Sequence, residues 1–475
     1  MGQTFVSTFS NLTATENGAL SFKSSQNKVL DFFANASVVK TSKEALQLFL
    51  VAFAENPVLA LKALCYLRDI RDGQGRRSHF RHIFEHLSSD VQYENWVQKI
   101  LPFVPTLGRY DDLIWNLEKT TALSVHLDSI YALLRDALED PNQSGLAAKW
   151  MPRKGYAAKL LRQAFGMTPK QYRKMLVGKT NVVESKMCVK NWEGINFSHV
   201  PSIAATRYNK AFFRNAAEAY TKYKEALKKG EAKINASVLY PHILVDQLDN
   251  VEDDILNAQW KALPNYFGDS MRRILAVADV SGSMKQEIMG NTRAISISIA
   301  LGMYIAERQT GSFKDFFVSF SEQPEFISLQ GDNFTTRARH METANWGYST
   351  NLQVVFDVVL NRAVQVKLAA NEMPEMIVII SDMEFDPTDE CSVTNYEAIK
   401  AKYAASGYEL PIVIFWNVAS RTPNKAPVLY NEYNTVFISG FSPILMGHIL
   451  KADLDQITPE GMMLQILSER YTFLD

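Results

Sequence analysis

A chain of 475 residues, 47% hydrophobic and 21% charged with a formal net charge of −1, carries enough apolar material for two or three cores at about 150 residues each. That composition excludes an intrinsically disordered chain, and the longest apolar runs, such as "MIVII", are far shorter than the roughly 20 residues a bilayer-spanning helix needs. Three widely separated cysteines, Cys65, Cys188 and Cys391, argue against a disulfide framework or a zinc site and fit a reducing, cytoplasmic setting with no membrane association.

The opening stretch "MGQTFVSTFSNLTATENG" lacks the basic and apolar regions of a signal peptide, and Val6 stands where a myristoylation signal wants Ser or Thr. From about residue 25 to 260 the spacing predicts helices. In "KEALQLFLVAFAENPVLALKALCYLRDI" apolar residues recur every three or four positions, with a break at Asn56-Pro57 that makes a helical hairpin. "RRSHFRHIFEHLSS", "ENWVQKILPFV", "YDDLIWNLEK" and "SVHLDSIYALLRDALED" continue the pattern. Antiparallel helix pairs of roughly 40 residues predict a HEAT-like repeat module, although no repeating sequence signature accompanies them.

The near-zero net charge conceals a strong polarity. Residues 145–230 hold 18 Lys and Arg against 4 acids, a net of +14, so the rest of the chain sums to −15. Here "KWMPRKGYAAKLLRQ" and "TPKQYRKMLVGK" interleave cations with Trp150, Tyr156 and Tyr172, followed by Trp192, Tyr208 and Phe212. Cations that displace counterions from phosphate, beside rings able to stack on unpaired bases, make RNA the natural partner, structured or single-stranded. The candidate contacts are Lys149, Arg153, Lys154, Lys159, Arg162, Lys170, Arg173 and Lys174, with Arg76 and Arg77 as additions. The alternative is a set of solvated helix faces whose aromatics are core.

Near residue 271 the pattern changes. "RILAVAD", "FKDFFVSF", "EMIVIISD", "PIVIFWNV" and "NTVFISG" read as strands, alternating with helical "TRAISISIALGMYIAER", "NLQVVFDVVLNRAVQ" and "VTNYEAIKAKYAASG". Such alternation predicts a parallel, doubly wound α/β sheet, whose ligands bind at the carboxyl ends of the strands. Aspartates stand at two such ends, in "AVADVSGSM" and "VIISDMEFD".

Asp279, Ser281 and Ser283 alternate, presenting three oxygens to one side of an extended loop, and Gly282 lets the loop pass close to an ion. Hard oxygen donors of this kind suit Mg²⁺, with another divalent cation as an alternative; the competing reading is a polar turn capped by serines. The arrangement resembles the metal-ion-dependent adhesion site of von Willebrand factor A domains, in which Asp-x-Ser-x-Ser is joined by a distant Thr and a distant Asp. That resemblance implies Thr350 in "WGYSTNLQVV" and Asp382 in "IVIISDMEFD" as the remaining donors, with Ser349 an adjacent competitor for the Thr350 role.

Helical repeats followed by an A domain are similar to the TROVE-module, Ro-like RNA-binding proteins. The chain more closely resembles the domain-of-unknown-function 2828 family, in "TENGALSF", "YLRDIRDGQGRRSHF", "LGRYDDL", "AKWMPRKG", "SKMCVKNWEGINFSHVPSIAATRYNKAFFR", "ADVSGSM" and "SDMEFD". The likeness implies a multidomain chain. Residues 1–270 would form an α-helical, HEAT-like, TROVE-like module, and residues 271–475 an α/β doubly wound A domain with the adhesion-site metal. The expected function is noncatalytic RNA binding within a ribonucleoprotein. The alternative is a metal-dependent adaptor in which a protein partner donates a carboxylate to the metal.

Other constellations carry less chemistry. His79, His82 and His86 share a helical face, but the surrounding arginines would repel a cation, so a polar or RNA-facing surface is the better reading. "RDGQGRR" is either a phosphate-cradling turn or a plain interhelical turn; no GK[ST] follows it. A haloacid-dehalogenase-like site needs a second Asp where this chain has Ser281, and there is no G-x-S-x-G, Cys–His pair or second metal cluster, so no enzyme activity is expected.

Overall fold

Runs that are apolar on every residue form the centre of a sheet, because such a strand must be covered on both faces. In the computed structural model, Ile274–Ala278 and Met376–Ser381 are buried along their whole length. The structure describes residues 10–119, 124–236, 239–289, 292–309, 313–320, 324–343, 350–387, 394–420, 425–452 and 457–475. The chain divides into two compact units, Met1–Ala63 with Ala236–Arg470, and Leu64–Asn235 with Tyr471–Asp475. The change of pattern near residue 271 therefore marks the start of the sheet, while the compact units interleave along the chain.

The first unit begins with a small antiparallel hairpin, β1 (Leu12–Ala14) and β2 (Leu20–Phe22). Helix Lys28–Asn35 follows, buried on nearly every residue, and packs against the sheet's last strand. The sheet strand β3 (Ile274–Ala278) leads to a second small hairpin, β4 (Glu287–Met289) and β5 (Thr292–Arg293). Then come β6 (Phe316–Ser319), β7 (Phe326–Ser328), β8 (Met376–Ser381), β9 (Ile412–Asn417) and β10 (Thr435–Ser439). The sheet order is β10-β9-β8-β3-β6-β7. Five strands run parallel, as expected, and β7 pairs antiparallel with β6 at one edge, making the sheet mixed.

This order locates the site. From β3 the chain lays β6 on one side, then returns to place β8, β9 and β10 on the other. Ligands of such sheets bind where the order reverses, outside the carboxyl ends of the two strands concerned. Those strands are β3 and β8, and the residues that follow them are Asp279 and Asp382. Helix Ala294–Arg308 packs over β3, β6 and β8; at Gly302 an added Cβ would come within 3.2 Å of the Ala278 methyl, so glycine permits this close approach.

The second unit is helical. The predicted break at Asn56-Pro57 is present, separating helix Ser42–Glu55 from Pro57–Arg68, which runs from the first unit into the second. The Asn56 side chain accepts from the Leu59 N–H, closing the start of the new helix. Within the second unit a buried charge network joins helices. Arg68 donates through Nε and Nη2 to Asp112 at 2.9 and 2.6 Å, while Arg81 donates to the other Asp112 oxygen at 2.7 Å. Arg68 and Asp112 are each 1% exposed. The "RDGQGRR" turn is held by its own amides: Gln74, Gly75 and Arg76 N–H groups donate to the carbonyls of Tyr66, Asp69 and Leu67. Those donors close the preceding helix and are not turned toward an anion.

Candidate functional site

Asp279 leaves β3 fully buried. Its Oδ1 accepts from the Ser281 N–H at 2.9 Å and its Oδ2 from the Ser381 hydroxyl at 2.6 Å, and the Ser281 and Ser283 hydroxyls lie 2.8 Å apart. Burial pushes the Asp279 carboxyl above its ordinary range, the bonds from Ser381 and Ser281 oppose that rise, and the charge of Asp386 adds to it.

Beyond β8 the stretch "SDMEFD" curls into a second cluster. The Glu384 N–H donates to Asp382 Oδ1 at 3.2 Å, and Met383 between them has a φ of 63°, a left-handed conformation that costs a side-chain-bearing residue energy. Thr350 is tied here: its N–H donates to Asp386 Oδ2 at 2.7 Å, and its hydroxyl lies 3.1 Å from Asp386 Oδ1 and 3.0 Å from the Glu384 carbonyl. Thr350 and Asp382 are 2% and 3% exposed. Asp279, Ser281 and Ser283 thus form one group with Ser381, and Thr350 joins the loop that follows Asp382; the charge of Asp386 couples the two. Ser349 lies outside the described residues.

The tip of the first hairpin closes this loop from above. Asn17 Nδ2 donates to Thr350 Oγ1 at 2.9 Å and to the Glu384 carbonyl at 2.8 Å; the Glu16 N–H donates to Glu384 Oε2 at 2.6 Å; the Thr15 hydroxyl donates to the Phe385 carbonyl at 2.7 Å. Lys425 neutralises Glu384 from 3.0 Å. Sequence reasoning missed Ser381, Glu384, Asp386 and Asn17. Alternating acids at 382, 384 and 386 were a readable signal for two of them; nothing local marks Asn17.

The donors fit a hard cation. They are carboxylate and hydroxyl oxygens, the donor type a hard cation takes, in two clusters, one at Asp279 with its serines and one at Thr350 and the loop after Asp382. Among the described residues no group of three or more His, Cys, Asp or Glu is assembled for a metal, so an ion here would depend on the hydroxyls and on its own waters.

In the helical unit, Arg153, Lys154, Lys159, Lys170, Arg173 and Lys174 are all exposed, on or beside helices Gly155–Ala164 and Pro169–Lys179. Arg162 and Lys149 are half-buried, and Lys149 faces Glu184 at 3.4 Å. Arg77 is exposed near Asp111. Arg76 corrects the expectation. It is 2% exposed, its guanidinium lies 2.8 Å from the ring of buried His79, and burial pulls its pKa down to about 10; it belongs to the interior and offers no phosphate contact. Tyr172 and Phe212 are likewise core, whereas Tyr156 is 54% exposed.

Residues 15–90 and 129–270 match the family model described as "Domain of unknown function (DUF2828)", and residues 273–465 match "Domain of unknown function (DUF7788)". A similar protein, "Uncharacterized protein L728" of Acanthamoeba polyphaga mimivirus, is 31% identical over 512 aligned residues spanning 96% of this chain and 87% of the viral one. The chain belongs to the same family as this viral protein. The boundary between the two family models coincides with the start of β3, so family and fold agree on where the sheet begins. The crystal structure of the Deinococcus radiodurans Ro (RSR) protein is similar at 12% identity and a TM-score of 0.44, over 94% of this chain and all of that one. Among the described residues, no helix is long and apolar enough to cross a membrane.

Proposed function

We propose that this chain is a noncatalytic RNA-binding protein of the ribonucleoprotein kind, joining a basic helical surface to a Mg²⁺-binding domain of the von Willebrand A type. The observation that carries this reading is the state of the basic residues. Among the described residues, none of Arg153, Lys154, Lys159, Lys170, Arg173 and Lys174 forms an ion pair, and all six are exposed in a segment of net charge +14. Unpaired, solvated cations at this density attract phosphate. Helical repeats of HEAT or TROVE kind would present them, and Mg²⁺ at Asp279, Ser281, Ser283, Thr350 and Asp382 would stabilise the strand-end loops and present an open coordination position.

The test is a salt titration of RNA affinity. Six phosphate contacts to a single strand, at about 0.7 ions each, give a log–log slope of about −4. Arg153→Glu combined with Lys154→Glu should flatten that slope and weaken binding of unrelated RNA sequences alike. Salt-independent affinity, or charge reversal without effect, would overturn the reading.

The strand-end donors support a second reading, an adaptor whose protein partner donates a carboxylate to the cation. Pull-downs with EDTA and with nuclease in separate arms divide the two: a partner lost to EDTA and indifferent to nuclease favours the adaptor.

A further inference from the structure

The helical unit contains a cavity of about 280 Å³. Leu146, Val182, Ile195 and Val200 give it apolar walls, and Lys149 and Glu184 bring charge to them. Glu184 is an unusual residue for its place, one of four acids in the segment of net charge +14. Its Oε1 has two distant partners, Lys149 Nζ and the Tyr208 hydroxyl, each at 3.4 Å. Its Oε2 is buried, and among the described residues nothing donates to it. A salt bridge alone does not account for this arrangement. Lys149 and Glu184 are about a third exposed, so their attraction is weak, whereas leaving a carboxylate oxygen buried and unbonded is costly.

We propose that this cavity takes an unstacked guanine base of bound RNA, an inference that rests on the RNA-binding reading above. Once the Glu184 carboxylate turns to bring its buried Oε2 to the cavity, it presents two acceptors and no donor, so it selects a base edge with donors side by side. Guanine alone offers that, as N1–H next to the N2 amino group, with O6 adjacent for Lys149. Adenine and cytosine place a ring acceptor beside their amino group, and uracil flanks its single N–H with two carbonyls; each would set a lone pair against Glu184. The apolar walls receive the faces of the base, as sequence-reading RNA sites do with splayed-out nucleotides. The surrounding cations hold the phosphates on either side.

Short RNAs and the full chain test this by fluorescence anisotropy. An oligouridine, the same oligomer with one central guanosine, and a third with inosine at that position differ only at the base edge. The guanosine oligomer should bind about tenfold more tightly than oligouridine, the lower range for a bidentate contact, and inosine, lacking the N2 amino group, should lose most of that gain. Glu184→Gln should abolish the guanosine preference, bringing the guanosine, inosine and uridine oligomers to one affinity in the variant. Salt-sensitive binding with guanosine, inosine and uridine alike overturns the guanine pocket and leaves the RNA-binding reading standing. Failure of all three oligomers to bind overturns both. The inosine arm needs no variant, so a folding defect in Glu184→Gln cannot obscure the result.

Discussion

Asn17 donates its side-chain amide to the hydroxyl of Thr350, 333 residues later in the chain and 2.9 Å away in space. The same amide group reaches the Glu384 carbonyl, so one residue of the first hairpin pins both the Thr350 loop and the loop after β8. This explains why a turn near the start of the chain bears on the proposed cation site: any movement of Thr350 toward an ion must be made with Asn17 still bonded or released.

Asn17→Ala removes both bonds without touching Asp279 or Ser281. The expected cost is about 1–2 kcal/mol, since two part-buried hydrogen bonds are lost at about 1 kcal/mol or less each. Amide exchange should speed up at Ala19 and at Asp386, whose N–H groups donate to the Thr15 hydroxyl and the Thr350 carbonyl respectively. It should stay slow in β3 and β8. Unchanged exchange at Ala19 and Asp386 would show that the hairpin is held by Thr15 and Glu16 alone.

How much of this was legible depended on whether the signal was local. The five parallel strands declared themselves because they are apolar along nearly their whole length and almost wholly buried, whereas the edge strand β7, exposed at Phe326 and half-buried beyond it, was missed. Strands β1 and β2 are three residues each, too short for a period, and were missed. Asp279, Ser281 and Ser283 were visible as an alternating set directly after a strand, and Glu384 and Asp386 were overlooked in the same kind of pattern. Arg76 and Arg77 look alike in sequence; the fold buries one and exposes the other because the turn hydrogen-bonds Arg76 back to Leu67. Asn17 could be found only from contacts that close over most of the chain.

Gly108 is a second position where a small change has a large expected effect. A Cβ added there would lie 2.3 Å from Asp112 Oδ2 and 2.4 Å from the Arg68 guanidinium. Gly108→Ala must therefore displace a buried ion pair. Breaking such a pair costs about 3–5 kcal/mol, because charge is left uncompensated. Asp112→Ala should cost a similar amount, since it strands buried Arg68 and leaves Arg81 only its pair with Asp111 at 2.8 Å. Urea midpoints for the two variants should drop together, and combining them should add little; full additivity would mean that Gly108 acts elsewhere.

His242 predicts an acid limb in the stability curve. It is fully buried, its ring meets Phe441 edge-on at 5.6 Å, and burial pushes its pKa down to about 3 from an unfolded value of about 6.5. Between those values the unfolded chain binds a proton that the folded chain does not, so stability falls as pH falls. The slope is about 1.4 kcal/mol per pH unit, or roughly 2 kcal/mol lost from this group by pH 5. His242→Leu should flatten that limb; His126, also lowered by burial, leaves a residual slope. Chemical denaturation at pH 7 and pH 5 measures the difference, and an unaltered slope in the variant would exclude His242 as the source.

Mg²⁺ binding at the end of β3 has a signature that a structural aspartate lacks. If Asp279 holds a cation, Mg²⁺ at a hundredfold above its dissociation constant should stabilise the wild-type chain by about 2.7 kcal/mol. Asp279→Asn should remove that response completely. Without Mg²⁺ the same variant should be no less stable than wild type, because it eliminates a charge that burial disfavours, and the Ser381 hydroxyl can turn to accept from the new amide. Ser281→Ala should weaken the Mg²⁺ response while keeping the buried carboxylate. A variant that melts early with or without Mg²⁺ would instead mark Asp279 as a purely structural acceptor for Ser281 and Ser381, and the thermal shift of wild type with Mg²⁺ and with EDTA separates the two outcomes.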